Sequence, residues 1–193
     1  ILIFGGTGRT GLALAKLLAG RGDSVTAVVR PTSDATALEA IGVNVFSGTP
    51  LDRDDVNNAF ASAQFDAVIS TLGQRRGEPG PRADHAGIEL IIDAAKNHGV
   101  QRMLMVTMIG AGDSISAVSE KVIEFLGVPI EAKTAAEALL ANSGLDYTIL
   151  RPGGLNSEPD AGTGIKTTDH SVMGVIAVGD LGRLVVECLD DNS

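Results

Sequence analysis

Ile3-Phe4-Gly5-Gly6-Thr7-Gly8-Arg9-Thr10-Gly11 opens the chain and decides its fold. A short apolar run enters a glycine cluster spaced G-x-x-G-x-x-G, and a helical pattern follows at once. Leu14, Leu17 and Leu18 recur there at three- and four-residue intervals, which gives that helix one buried face. Glycines at 5, 8 and 11 permit a tight turn whose amides approach an anion with no Cβ in the way. The first turn of the helix then presents free N–H groups and the positive end of its dipole. Such a loop alone is a weak sign. Placed at the first strand–helix junction of a repeated βα pattern, it points to a pyrophosphate. Gly5, Thr7, Gly8, Arg9, Thr10 and Gly11 are therefore candidate cofactor-binding residues.

Outward from this junction, short apolar runs alternate with helical patterns to the end of the chain, the mark of βαβ units. Strands are expected at 1–4, 24–29, 43–46, 67–71, 102–107 and 147–150. Their apolar runs do not alternate, as befits strands covered on both faces. Helices are expected at 10–20, 35–41, 54–61, 84–98, 116–126, 133–143 and 180–189, with Gly20, Gly99, Gly127 and Gly144 as stops. The segments 73–82 and 153–169 are rich in turn formers and read as loops at the carboxyl edge of the sheet. The pattern predicts an α/β fold, a doubly wound parallel sheet of Rossmann type, with residues 1–193 as one NAD(P)-binding domain.

Composition narrows the function classes. Net charge is −9, which argues against a general nucleic-acid or anionic-membrane surface and leaves a small molecule as the expected partner. No apolar stretch approaches the ~20 residues needed to span a bilayer. The opening Ile1-Leu2-Ile3-Phe4 lacks a basic flank and reads as a strand, not a secretion signal; a few residues are expected before Ile1. The lone Cys188 sits among Leu184, Val185 and Leu189, an inert thiol that excludes an intrachain disulfide and suits a cytoplasmic protein. No His, Asp or Glu grouping has metal-ligand spacing, and no metal is expected.

The second strand identifies the dinucleotide. NAD-specific sites place Asp or Glu there to accept from the ribose 2′-OH. This strand ends in Arg30-Pro31. A guanidinium meets a 2′-phosphate with charge-assisted bonds, so NADP(H) is expected over NAD(H), with Arg30 as its ligand and Arg9 as a second candidate.

With these residues in view, the chain resembles the atypical short-chain dehydrogenases/reductases of the NAD(P)H-binding, NmrA-like group. Within it, the likeness is to flavin reductase/biliverdin-IXβ reductase. The likeness covers nearly the whole chain and rests on residues 3–11, Val28-Val29-Arg30, Thr71-Leu72-Gly73, Val106-Thr107 and residues 143–154. It implies that Thr71, Leu72 and Gly73 border the cofactor after the fourth strand. Thr107 would end the fifth strand beside the nicotinamide, and Arg151, Pro152 and Gly153 would line its far side. The group usually carries Gly-Asp after the third strand. Gly48-Thr49-Pro50 here would leave adenine contact to Thr49 and backbone, with Leu51 packing nearby. Lys133 matches the lysine of the group's Tyr-x-x-x-Lys dyad, but Pro129 stands at the tyrosine position and the only tyrosine, Tyr147, begins a strand. Met108 and Gly153 replace the serine and histidine common in biliverdin-IXβ reductases.

Without that tyrosine no obvious acid protonates an alkoxide, so alcohol–ketone interconversion is disfavoured. A reductase of conjugated acceptors, whether flavin, quinone or tetrapyrrole, needs only alignment, because the proton can come from water. Thr107 and Lys133 are its candidate catalytic residues: Thr107 to bond the carboxamide or a substrate oxygen, Lys133 the nicotinamide ribose. Two alternatives are a non-catalytic NADP(H)-binding redox sensor and a sugar epimerase or dehydratase. His85 and His98 read as structural, His170 as a loop residue within reach of a substrate, and Arg75 and Arg76 as loop cations able to close over phosphates.

Overall fold

The computed structural model describes residues 1–74, 77–158 and 160–191. Arg75 and Arg76 lie outside them. Six strands form one parallel sheet: β1 (Leu2–Phe4), β2 (Thr26–Val29), β3 (Asn44–Ser47), β4 (Ala67–Ser70), β5 (Arg102–Val106) and β6 (Asp146–Leu150). Their order is β3-β2-β1-β4-β5-β6, with Phe4 beside Val28 on one side and Ser70 on the other. The order reverses between β1 and β4, which opens a crevice at the carboxyl edge where dinucleotides bind in this fold.

The continuous apolar runs are explained by coverage on both faces. Leu2, Phe4, Val68, Met103 and Met105 pack against helices α3 (Arg53–Ala61), α4 (Ala86–Asn97) and α5 (Glu120–Ala141). Ile3, Ala27, Ile69 and Leu104 pack against α1 (Arg9–Arg21), the short α2 (Thr36–Glu39) and α6 (Val178–Asp190). In β1, β2, β4 and β5 successive residues alternate between two buried layers, whereas the edge strands β3 and β6 are partly exposed. No described helix is long and apolar enough to cross a membrane.

Three expectations are corrected. Gly20 does not end α1; the helix runs to Arg21, and Gly22, with φ of +97°, takes the left-handed capping position. Gly127 and Pro129 do not separate two helices. One 22-residue helix, α5, passes through both, and a 3-10 helix over Gly112–Ala117 precedes it. Pro129 gives up one backbone bond on a turn where water reaches the chain, while Ile130, Ala132, Ala136 and Leu140 bury the following face and hold the helix together. Finally, residues 153–169 are not all loop. β7 (Gly154–Asn156) pairs in parallel with β8 (Val175–Ala177), apart from the main sheet.

Asp180 anchors the segment between those strands. This carboxylate, 1% exposed, accepts from the N–H groups of Ala161, Gly162 and Gly164 and from the Thr163 hydroxyl. The Asp160 side chain and the donors of Gly162, Thr163 and Ala161 hold its carboxyl down at about 2.

Candidate functional site

The phosphate loop has the shape its glycines imply. Gly5 adopts φ of +90°, and the Gly8 N–H donates to the Gly5 carbonyl at 3.0 Å to close the turn. A Cβ on Gly11 would stand on the Gly5 carbonyl oxygen and 2.8 Å from its carbon, so α1 approaches the turn more closely than any side chain allows. No side chain caps α1 and no acid lies in its first turn. The contrast is α3, whose N-terminal amides are taken up by Asp52. An exposed helix start without cap or acid, behind Thr7, Gly8, Arg9 and Thr10, fits a pyrophosphate.

β4 and its exit complete the cradle. The Thr71 hydroxyl donates to the Gly5 carbonyl at 3.1 Å, tying the phosphate loop to the next strand. Leu72 follows with its carbonyl accepting from the Lys133 ammonium at 2.9 Å, and Gly73 faces open space. Thr49 is tied through its N–H to Asp55, and Leu51 is exposed beside it; Pro50 is turned under α4, with its carbonyl 3.0 Å from where a Gly87 Cβ would stand. Pro50 is a buried strut at this edge.

The two arginines proposed for one phosphate are bonded to different segments. Arg30, just past β2, pairs with Glu78 at 2.7 Å, while Arg9 donates to the Ser157 hydroxyl at 3.1 Å. Arg9 also borders a groove of about 470 Å³ along the outer side of α1, lined by Leu12, Lys16, Leu17 and Val178. That groove is not the crevice at the strand ends.

At the end of β5, Thr107 is buried and its hydroxyl donates to the Glu137 carboxylate at 2.6 Å. Glu137, 4% exposed, also accepts from Arg151 through Nη2 at 2.7 Å and Nε at 3.1 Å. Arg151 bonds Asp113 in turn, and Asp113 meets the His170 ring at 2.8 Å. Arg151 and then His170 hold the Asp113 carboxyl below the usual range. The Arg151 guanidinium is thus bonded to carboxylates of α5 and the 3-10 helix. A buried Glu137 requires that partner. Pro152 accepts from the Ile109 N–H, and Gly153 is required by geometry: a Cβ there would overlap the Gly174 carbonyl oxygen. Histidine therefore has no room at 153.

Lys133 is largely buried on α5. Burial lowers its pKa, opposed by Asp84, whose carboxylate lies 3.6 Å from the ammonium. Tyr147 pairs with Met103 in the sheet register, toward the far end of the strand from Thr107, and Pro129 lies inside α5. Glu137, Asp84, Asp113 and Asp180 were not singled out from the sequence. Only Glu137 left a trace there: an acid one turn after Lys133 on an otherwise apolar face.

Comparison with known proteins agrees with this geometry. A family model described as NAD(P)H-binding matches residues 5–192. The structure of ChuY from Escherichia coli O157:H7, described as an anaerobilin reductase, is 32% identical with a TM-score of 0.89, covering all of this chain and 91% of that one. The Bacillus subtilis protein YhfK, called an uncharacterized sugar epimerase, is 30% identical over all of this chain and 89% of its own length. A Stigmatella aurantiaca quinoline-oxide ketoreductase is 28% identical over 78% of this chain and 48% of that protein. The chain, an oxidoreductase-like Rossmann fold related to reductases, belongs to the NAD(P)H-binding family of atypical short-chain dehydrogenases/reductases.

Proposed function

We propose that the protein is an NADPH-dependent reductase delivering hydride to a flat conjugated acceptor of the flavin, quinone or tetrapyrrole kind. The observation that carries this is Thr107. Its single hydroxyl proton is committed to Glu137, so toward a ligand it offers only lone pairs. It can accept from a carboxamide N–H but cannot protonate an alkoxide. With proline at 129 and Tyr147 toward the far end of its strand from Thr107, neither Thr107 nor a tyrosine among the described residues is set to protonate a carbonyl substrate. A conjugated acceptor removes the need. The bound nicotinamide supplies two electrons and one hydrogen as hydride, and the reduced acceptor takes its second hydrogen as a proton from water.

The surroundings suit such a ligand. The His170–Asp113 bond lays residues 170–173 beside the 3-10 helix, where Ile115, Val172 and Met173 are exposed. The anaerobilin reductase likeness favours the same substrate class. A small-molecule partner, not nucleic acid or a membrane, accords with the net charge of −9, and the lone Cys188 with the cytoplasm.

NADPH oxidation in the presence of flavins, quinones and linear tetrapyrroles tests the reading; turnover with at least one is expected. NADPH binding without turnover on any of them replaces it with the redox-sensor alternative. Arg30 carries the cofactor preference. Its exposed pair with Glu78 contributes only ~0–1 kcal/mol, so a 2′-phosphate competes easily for the guanidinium. Arg30→Glu should weaken NADPH at least ~10-fold, about the value of one charged hydrogen bond, and NADH much less. Equal losses in calorimetry would remove the 2′-phosphate from Arg30.

A further inference from the structure

We infer that Asp84 is a positioning residue which, with the Leu72 carbonyl, holds the Lys133 ammonium at the carboxyl edge and leaves one N–H for the bound dinucleotide. This rests on the dinucleotide-binding reading above. Asp84 lies just before α4 and is 2% exposed, an unusual setting for a carboxylate in a loop. Its Oδ2 accepts from Arg82 at 2.8 Å and faces Lys133 at 3.6 Å, while Oδ1 is buried with no partner among the described residues.

The direction of the ammonium follows from its anchors. Leu72 is the neighbour of Thr71, whose hydroxyl touches the phosphate loop at Gly5. Lys133 therefore sits one residue from the cradle. Of its three N–H groups one goes to Leu72 and one faces Asp84. The charged groups around it are Asp84 and Arg82 from the segment before α4, and Glu137 one turn further along α5. Arg82 opposes the ammonium and Glu137 is engaged with Arg151, which leaves Asp84 as the chief counter-charge. Without it, burial acts on the lysine with only the more weakly felt Glu137 against it, and the ammonium loses both its aim and its proton at lower pH.

The test is Asp84→Asn, read in two ways. NADPH titrations from pH 6.5 to 10 should show affinity about tenfold weaker at neutral pH. The alkaline fall in affinity should also begin about one pH unit below that of the wild type. In the ligand-free protein, NMR of 13Cε-labelled lysines should show the Lys133 signal, assigned with Lys133→Met, titrating at lower pH in the variant. An unchanged lysine titration, or an affinity loss equal at every pH, would make Asp84 scaffolding and overturn the inference. The ligand-free titration decides the matter even if NADPH fails to bind the wild type, a result that would instead sink the dinucleotide reading. If Asp84→Asn alone does not fold, Asp84→Asn/Lys133→Met decides. Recovery of the fold supports the pairing, and continued failure overturns it.

Discussion

Gly11→Ala weakens NADPH binding at least ~100-fold, about 2.7 kcal/mol, whereas Gly20→Ala in the same helix leaves binding intact and raises the Tm. The two substitutions add the same methyl group to α1 and meet opposite surroundings. At Gly11 the new Cβ lands on the Gly5 carbonyl oxygen and 2.8 Å from the Thr71 hydroxyl. Neither can yield cheaply, because the carbonyl is backbone and closes the turn with Gly8. Overpacking of this kind costs about 1–3 kcal/mol in stability. The larger loss is functional: the shift displaces the amides and helix start that receive the pyrophosphate. At Gly20 nothing lies within 4 Å, and the residue is in the last turn of α1 with no positive φ to favour glycine. Alanine there gains ~0.5–1 kcal/mol by restricting the unfolded chain and favouring the helix, or roughly 1–4 °C. Thermal melts and NADPH titrations of both variants check the pair. Wild-type NADPH affinity in Gly11→Ala would remove the pyrophosphate from this turn.

That turn was legible in the sequence because its physics is local. Glycine spacing, the preceding apolar strand and the following leucines lie within one stretch, although Gly5 and Gly11 are also enforced by Thr71 from the end of β4. The sheet was legible for a related reason: strands buried on both faces are apolar throughout, whatever their neighbours. α5 was not. Gly127 and Pro129 are local breakers, and only the packing of the helix's second half, invisible to propensity, outweighs them. The β7–β8 pair escaped notice because each strand has three residues, too few for a period to show. Within the site, the closeness of Thr71 to Gly5 follows from adjoining strand ends and can be read from the sequence. Bonds to partners far along the chain cannot. The resemblance sets Arg151 beside the nicotinamide; its carboxylate partners come from two other elements that no spacing links to it.

Glu137→Ala is the second large effect, and it separates scaffold from function. Glu137 is buried and satisfies the Thr107 hydroxyl and two nitrogens of Arg151. Truncation leaves a mostly buried guanidinium short of one counter-charge and a buried hydroxyl without its acceptor. Breaking a buried pair in this way costs about 3–5 kcal/mol. Replacing both partners is different, since two apolar side chains of similar length remove the unpaired charge and leave only the Thr107 hydroxyl to turn toward the Leu150 carbonyl. Glu137→Met/Arg151→Met should therefore recover at least half of the stability lost in Glu137→Ala, measured as the urea midpoint at constant slope. It should not recover cofactor handling. In both variants the Thr107 proton is released from the carboxylate, and the oxygen proposed to accept from the carboxamide can turn and donate. NADPH affinity and any turnover should thus remain low in the double variant despite its restored fold. A double variant no more stable than Glu137→Ala would mean that the carboxylate does more than balance Arg151. Wild-type NADPH affinity in the double variant would detach Thr107 from the cofactor and, with it, the argument for a conjugated acceptor.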